Sequence, residues 1–135
     1  MSIYSINPRE LNVKLAEELK KIPEIVAPEW ALYVKSSVAR ERPPADEDFW
    51  QKRAASILRQ LYLNHSIGVN KLRNRYGGRK NRGAKPARFK KGSGKIIRVL
   101  FQQMETAELV QKTDKKKGRM LTDKGKKLIE KISGK

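Results

Sequence analysis

Residues 46–63 read DEDFWQKRAASILRQLYL, and they decide the fold. Pro43-Pro44 breaks the chain just before them. Asp46, Glu47 and Asp48 then supply the negative charge that a helix N-terminus favours. Trp50, Ala54, Ile57 and Leu61 recur at helical spacing with Leu58 beside them, so one face of a helix running to about Leu63 is core. The opposite face carries Phe49, Lys52, Ser56, Arg59 and Leu63, with Arg53 and Gln60 at its edge. Bases mixed with an aromatic suit phosphate contact plus stacking on a base or sugar. The other reading is that Phe49 and Leu63 pack under a neighbouring loop.

Toward the N-terminus, Asn7 is placed to cap a helix, Pro8 fits its first position, and Glu10 completes a capping-box-like spacing. Leu11, Leu15, Leu19 and Ile22 form its apolar stripe, and Pro23 ends it. Pro28 opens a short helical segment with Trp30, Leu32, Tyr33 and Val34, in which Trp30 is a core or rim aromatic.

Toward the C-terminus, residues 67–76 read as a short helix with Val69, Leu72 and Tyr76 on one side, stopped by Gly77-Gly78. Ser93 caps a third helix with Ile96, Ile97, Leu100, Phe101 and Met104 inward and Lys95, Arg98 and Gln102 on other faces. Residues 109–121 read as a β-hairpin with a charged, glycine-containing turn. Thr122 caps a last helix that turns Leu128, Ile129 and Ile132 inward.

The order implies a mainly α fold: a helical domain around a central amphipathic helix, winged-helix-like, with a small β-hairpin. Its 135 residues suffice for one core, so 1–135 is expected to be a single domain, with 1–45 an N-terminal helical decoration and 46–135 the winged part. A basic insertion loop, 77–92, separates the second and third helices, where an ordinary helix-turn-helix has only a few residues.

Charge points to the partner. Lys plus Arg number 32 against 14 acids, a formal net of +18. Residues 1–48 carry seven bases and nine acids, residues 49–104 fifteen bases and no acid, and residues 105–135 ten bases and five acids. An acid-free run of this length is a phosphate-facing surface by default. No apolar run is long enough to span a membrane, and no signal-peptide pattern opens the chain, so a cytoplasmic location is expected.

Residues 76–95, YGGRKNRGAKPARFKKGSGK, concentrate the pattern: eight bases, five glycines and no acid. Glycines let a backbone approach phosphate closely. Arg79, Arg82 and Arg88 are suited to fork onto phosphates or stack on bases, and Tyr76 and Phe89 bracket the segment as stacking platforms. Alone, such a segment is expected to be mobile until its partner arrives. A nucleotide-binding P-loop is excluded: Gly78 and Gly83 have the right gap, but Ala84 stands where Lys is required and Lys85 is one place late.

Catalysis is not expected. The single His, His65, sits at a helix end, Cys is absent, and the carboxylates show no dyad spacing. No metal, cofactor or small-molecule substrate is implied.

DEDFWQKRAASILRQLYL, GVNKLRNRYGGRKNRG, GSGKIIRVLFQQME and GRMLTDKGKKLIEKI together resemble the archaeal and eukaryotic small-subunit ribosomal protein nineteen, the e-type family. The EWA stretch around Trp30 fits as well, so the similarity covers essentially the whole chain. WxxRAASxxRxLYL-like and YGGRKxxG-like runs are its most specific parts. The resemblance implies a mostly helical fold in the head of the small ribosomal subunit. It also implies binding to ribosomal RNA beside neighbouring ribosomal proteins, with a part in RNA maturation. It places the family's basic patches on Arg53, Arg59, the 76–82 loop, Arg98 and Gly118-Arg119. Here Phe49 precedes Trp50, whereas eukaryotic members have Trp before Phe. The short C-terminus suggests the compact archaeal type.

With the other cations of the acid-free run, the candidate RNA contacts are Phe49, Lys52, Arg53 and Arg59 on the central helix, and Lys71, Arg75 and Tyr76 on the short one. Gly77, Gly78, Arg79, Lys80, Arg82, Arg88, Lys90 and Lys91 follow in the insertion, then Lys95 and Arg98 on the third helix and Gly118 with Arg119 in the hairpin. Reversing Arg53 and Arg59 to Glu is expected to remove RNA association while sparing the fold. A monomer is expected when free. The alternative is a winged-helix DNA-binding regulator, which leaves the insertion unexplained because it would obstruct the third helix from a major groove.

Overall fold

The computed structural model describes residues 3–113 and 118–134. Helix α1 (Pro8–Lys20) starts as its sequence directs, with the Asn7 side chain accepting from the Arg9 N–H at 3.0 Å and Pro8 at the first turn. Leu11, Leu15 and Leu19 are fully buried, and they seat α1 against α2 (Phe49–Asn64). The segment after Pro28 is helical as expected, but as a 3-10 helix, Glu29–Leu32, that ends before Tyr33 and Val34. It lays Trp30 edge-on against Trp50, with ring centroids 5.8 Å apart. Such a contact adds about 0.5–1.5 kcal/mol beyond the buried area.

Helix α2 is the axle. Trp50, Ala54, Ala55, Ile57, Leu58 and Leu61 are buried, and the Trp50 indole N–H donates to Gln103 Oε1 at 2.7 Å. Its second face is covered rather than free. Phe49 and Leu63 pack half-buried against the core, and Gln60, expected at the edge, is buried, accepting from the Asn64 side-chain amide.

Ile67, expected to open the second helix, instead lies in strand β1 (Ser66–Ile67), and helix α3 (Val69–Arg75) begins after an extended Gly68. The reason is tertiary. β1 pairs with the C-terminal hairpin, giving an antiparallel sheet of order β1-β5-β4, with β4 Val110–Lys112 and β5 Arg119–Leu121. The expected charged turn of that hairpin falls at 114–117, outside the described residues. Helix α4 (Gly94–Thr106) is capped by Ser93 and buries Ile96, Ile97, Leu100, Phe101 and Met104. Helix α5 (Asp123–Ile132) is capped by Thr122, whose hydroxyl accepts from Gly125 N–H and donates to the Glu108 carbonyl. Ile129 is buried, with Leu128 and Ile132 partly so.

The insertion 77–92 is not a mobile loop. It is a second antiparallel hairpin, β2 (Gly78–Arg82) and β3 (Lys85–Lys90), joined by Gly83-Ala84. Two local features close it. Gly83 stands at φ 74°, in the first central position of a two-residue turn, and the Asn81 side chain accepts from its N–H. Arg82 Nε also donates across the turn to the Pro86 carbonyl at 2.8 Å. Charge does not prevent strand pairing here because every β3 side chain stays in solvent.

Candidate nucleic-acid interface

The acid-free run is folded into three neighbouring arrangements. The first surrounds Tyr76, at the end of α3. Its hydroxyl shares a 2.6 Å hydrogen bond with Ser56 on α2. The Arg53 guanidinium lies over the Tyr76 ring at 4.0 Å from its centroid and also over Phe49 at 5.1 Å. Burial raises the Tyr76 phenol pKa, against the Ser56 hydrogen bond and the charges of Arg53, Arg75 and Arg59. Burial likewise lowers the Arg53 pKa, with Arg40 adding to the effect and Tyr76 opposing it; an arginine stays charged even so. Arg59 Nε is shut off from solvent with no hydrogen-bond partner among the described residues. Three guanidiniums therefore act on one phenol, with Arg40 close to Arg53, a setting that attracts a phosphate.

This geometry changes the reading of two residues. Arg53 is a packed side chain, so Arg53→Glu would also push a carboxylate between two rings. Tyr76 already carries Arg53 on its ring, so it is no open stacking platform. Lys52, also assigned to RNA, is held by Asp46 at 3.6 Å and Asp48 at 3.3 Å. For Asp48, burial raises the pKa, but hydrogen bonds from Lys20 and Lys52 outweigh it and the net shift is downward.

The second arrangement is an open cleft of about 920 Å³ between β1, α3, α4 and the C-terminal hairpin. Lys71, Arg98, Gly118 and Arg119 line it together with Asn64 and His65. Gly118 is required: its φ is 137°, and a Cβ there would lie 3.0 Å from the Ile67 carbonyl oxygen. Arg119 is pinned by an ion pair with Glu105 and lies over the Phe101 ring. Lys71 and Arg98 are exposed, with no carboxylate paired to them among the described residues.

The third is the β2–β3 arm, which carries Arg79, Lys80, Arg82, Arg88 and Lys90 and exposes Phe89 by 55 %. Its foot is fixed on two sides. Arg73 and Gly92 bond reciprocally: Gly92 N–H donates to the Arg73 carbonyl at 2.8 Å, and Arg73 Nε donates to the Gly92 carbonyl at 3.0 Å. On the other side Ser37 bridges to Gly92, and Ser93 N–H donates to the Ser36 carbonyl. Gly77 lets the arm close on α3, because a Cβ there would lie 2.5 Å from the Lys90 carbonyl oxygen and 2.7 Å from Phe89. Lys91 and Lys95 are exposed at and just beyond the foot.

Sequence reasoning missed Arg40 and Arg73. Arg73 sat in the acid-free run but serves as a strut. Arg40 lies in the net-negative first third, and only the fold brings its guanidinium beside Gly78. Local charge counting had no signal for it. The arrangement holds cations, one exposed aromatic and close-approach glycines; among the described residues no group of three or more His, Cys, Asp or Glu is placed to hold a metal ion.

Residues 2–135 match the family described as Ribosomal protein S19e. The small ribosomal subunit protein eS19 of Haloarcula marismortui is 41 % identical, covering 98 % of this chain and 89 % of that protein. The protein of the same name from Thermoplasma volcanium is 44 % identical over 89 % of this chain and 76 % of its own. A eukaryotic one, from Oryza sativa subsp. japonica, is 35 % identical over 98 % and 90 %. A match along nearly the whole chain, in archaea and a plant alike, means that this protein belongs to the ribosomal protein S19e family.

Proposed function

We propose that the chain is a structural constituent of the small-subunit head, bound to ribosomal RNA through the Tyr76 cluster, the Lys71–Arg98 cleft and the β2–β3 arm. It works as a non-enzymatic binding protein in cytoplasmic ribosomes, supports small-subunit RNA maturation and assembly, and is monomeric when free. The observation that carries this reading is the arm, a pre-built hairpin whose six bases face no carboxylate on either strand. Residues 46–135 are read as the winged-helix-like part, a view supported by the β1-β5-β4 order, with 1–45 as decoration. Neighbouring head proteins then meet the remaining surface. A DNA regulator is disfavoured, since the arm rises between α3 and α4, where a duplex groove would have to fit.

Co-sedimentation tests it. The protein should travel with small subunits and leave as salt rises, since roughly six to ten phosphate contacts cost about three to five decades of affinity between low and moderate salt. Failure to travel with them at low salt would end the proposal.

A further inference from the structure

The first third of the chain, net negative and outside the acid-free run, contributes one wall of a groove whose other wall is the foot of the arm, Lys91 included. It lies where the 33–38 segment meets the foot of the arm, and its volume is about 380 Å³. Tyr33, Val34 and Val38 give it apolar and aromatic walls; Tyr33 is 79 % exposed and Val38 52 %. The charged side chains lining it are Lys35, Arg73 and Lys91, all cationic. An aromatic ring of that exposure has no packing role in the fold. The groove floor is stiff, because the Ser37–Gly92 bridge and the bond from Ser93 N–H to the Ser36 carbonyl tie its two sides together.

The geometry points to a binding site for one unpaired ribonucleotide: its base stacks on Tyr33 against Val38, and its phosphate lies between Lys91 and Lys35. An exposed ring beside paired cations is the composition that single-strand binding uses, since every base has a π-face and every nucleotide a phosphate. A duplex offers neither an accessible face nor a base that reaches a groove this narrow. The inference rests on the proposed RNA function and extends it, adding single-strand recognition to a surface otherwise built for backbone contact.

The test uses the full chain with an oligouridylate carrying 5-iodouridine, and an RNA duplex of equal length. Tyr33→Ala should weaken the single strand by about five- to thirtyfold with its salt slope unchanged, leave the duplex unaffected, and abolish a photocrosslink mapping to Tyr33; Tyr33→Phe should restore all of it. Lys91→Ala should instead reduce the single-strand slope by about 0.7. Equal single-strand affinity of Tyr33→Ala and wild type overturns the inference, as does a loss shared by strand and duplex. Perturbation of the Tyr33 ring resonances by a polyglutamate peptide but not by oligouridylate also overturns it, assigning the groove to an acidic protein segment. Arg79→Ala with Arg88→Ala separates the two levels. If those weaken RNA and Tyr33→Ala does not, only the groove assignment falls; if neither does, the RNA face falls with it.

Discussion

The two hairpins are both antiparallel, both basic and both short, yet they are held by different physics. The C-terminal one, β4–β5, is extended by β1 at the β5 edge and rooted in the core through Val110 and Leu121, each at most 3 % exposed. Its Arg119 is tied to Glu105 and laid on Phe101. The β2–β3 arm buries nothing along β3 and keeps its shape by turn geometry and a clamped foot. Burial holds one hairpin and backbone hydrogen bonding holds the other. The hairpin that makes no core contact is the one free to give its whole surface to a partner.

Leu121→Ala is the harshest way to test that contrast. It removes a buried side chain at the root of the C-terminal hairpin and should cost about 2–5 kcal/mol in urea unfolding. A loss as small as that of an exposed substitution would mean that this hairpin, too, hangs free. Gly77→Ala acts on the arm's foot. Its Cβ meets backbone at Lys90, so the arm must shift, at about 1–3 kcal/mol, with RNA affinity falling alongside stability. Arg53→Ala should cost roughly 1–2 kcal/mol from the loss of its two ring contacts, and a stability unchanged by it would return Arg53 to the role of a pure RNA contact. The gentlest change is Arg79→Ala with Arg88→Ala. Thermal stability should stay within about 0.5 kcal/mol, while the slope of affinity against salt drops by about 1 per arginine. Coupled losses of stability and affinity would show that the arm is integrated with the core after all.

What the sequence made legible follows the same division. Buried stripes announce themselves by spacing, so Trp50, Ile57, Leu61, Leu100 and Ile129 were readable as core, and Asn7, Ser93 and Thr122 as caps. The arm was not, because six exposed residues in a row have no hydrophobic period to detect. Its only local signal was the turn, Asn81 followed by Gly83, which the density of charge obscured. Ile67 of β1 was placed in a helix because two residues cannot declare a strand whose partner lies more than fifty residues away. At the interface, the acid-free run located the cations but not their uses. Lys52 next to Asp48, Arg53 on Tyr76 and Arg119 on Phe101 look alike in sequence to the exposed Lys71 or Arg88. Only packing separates a guanidinium that holds the fold from one that is free.

Gly77 and the Arg73–Gly92 pair have a thermodynamic consequence. They fix the angle of the arm to α3 before any RNA is met, so the ordering of its strands, at roughly 1–2 kcal/mol per residue, falls on folding and not on docking. Association then brings together two finished shapes. Its heat-capacity change should be the modest one of surfaces meeting, without the large negative contribution of a chain that folds onto its target.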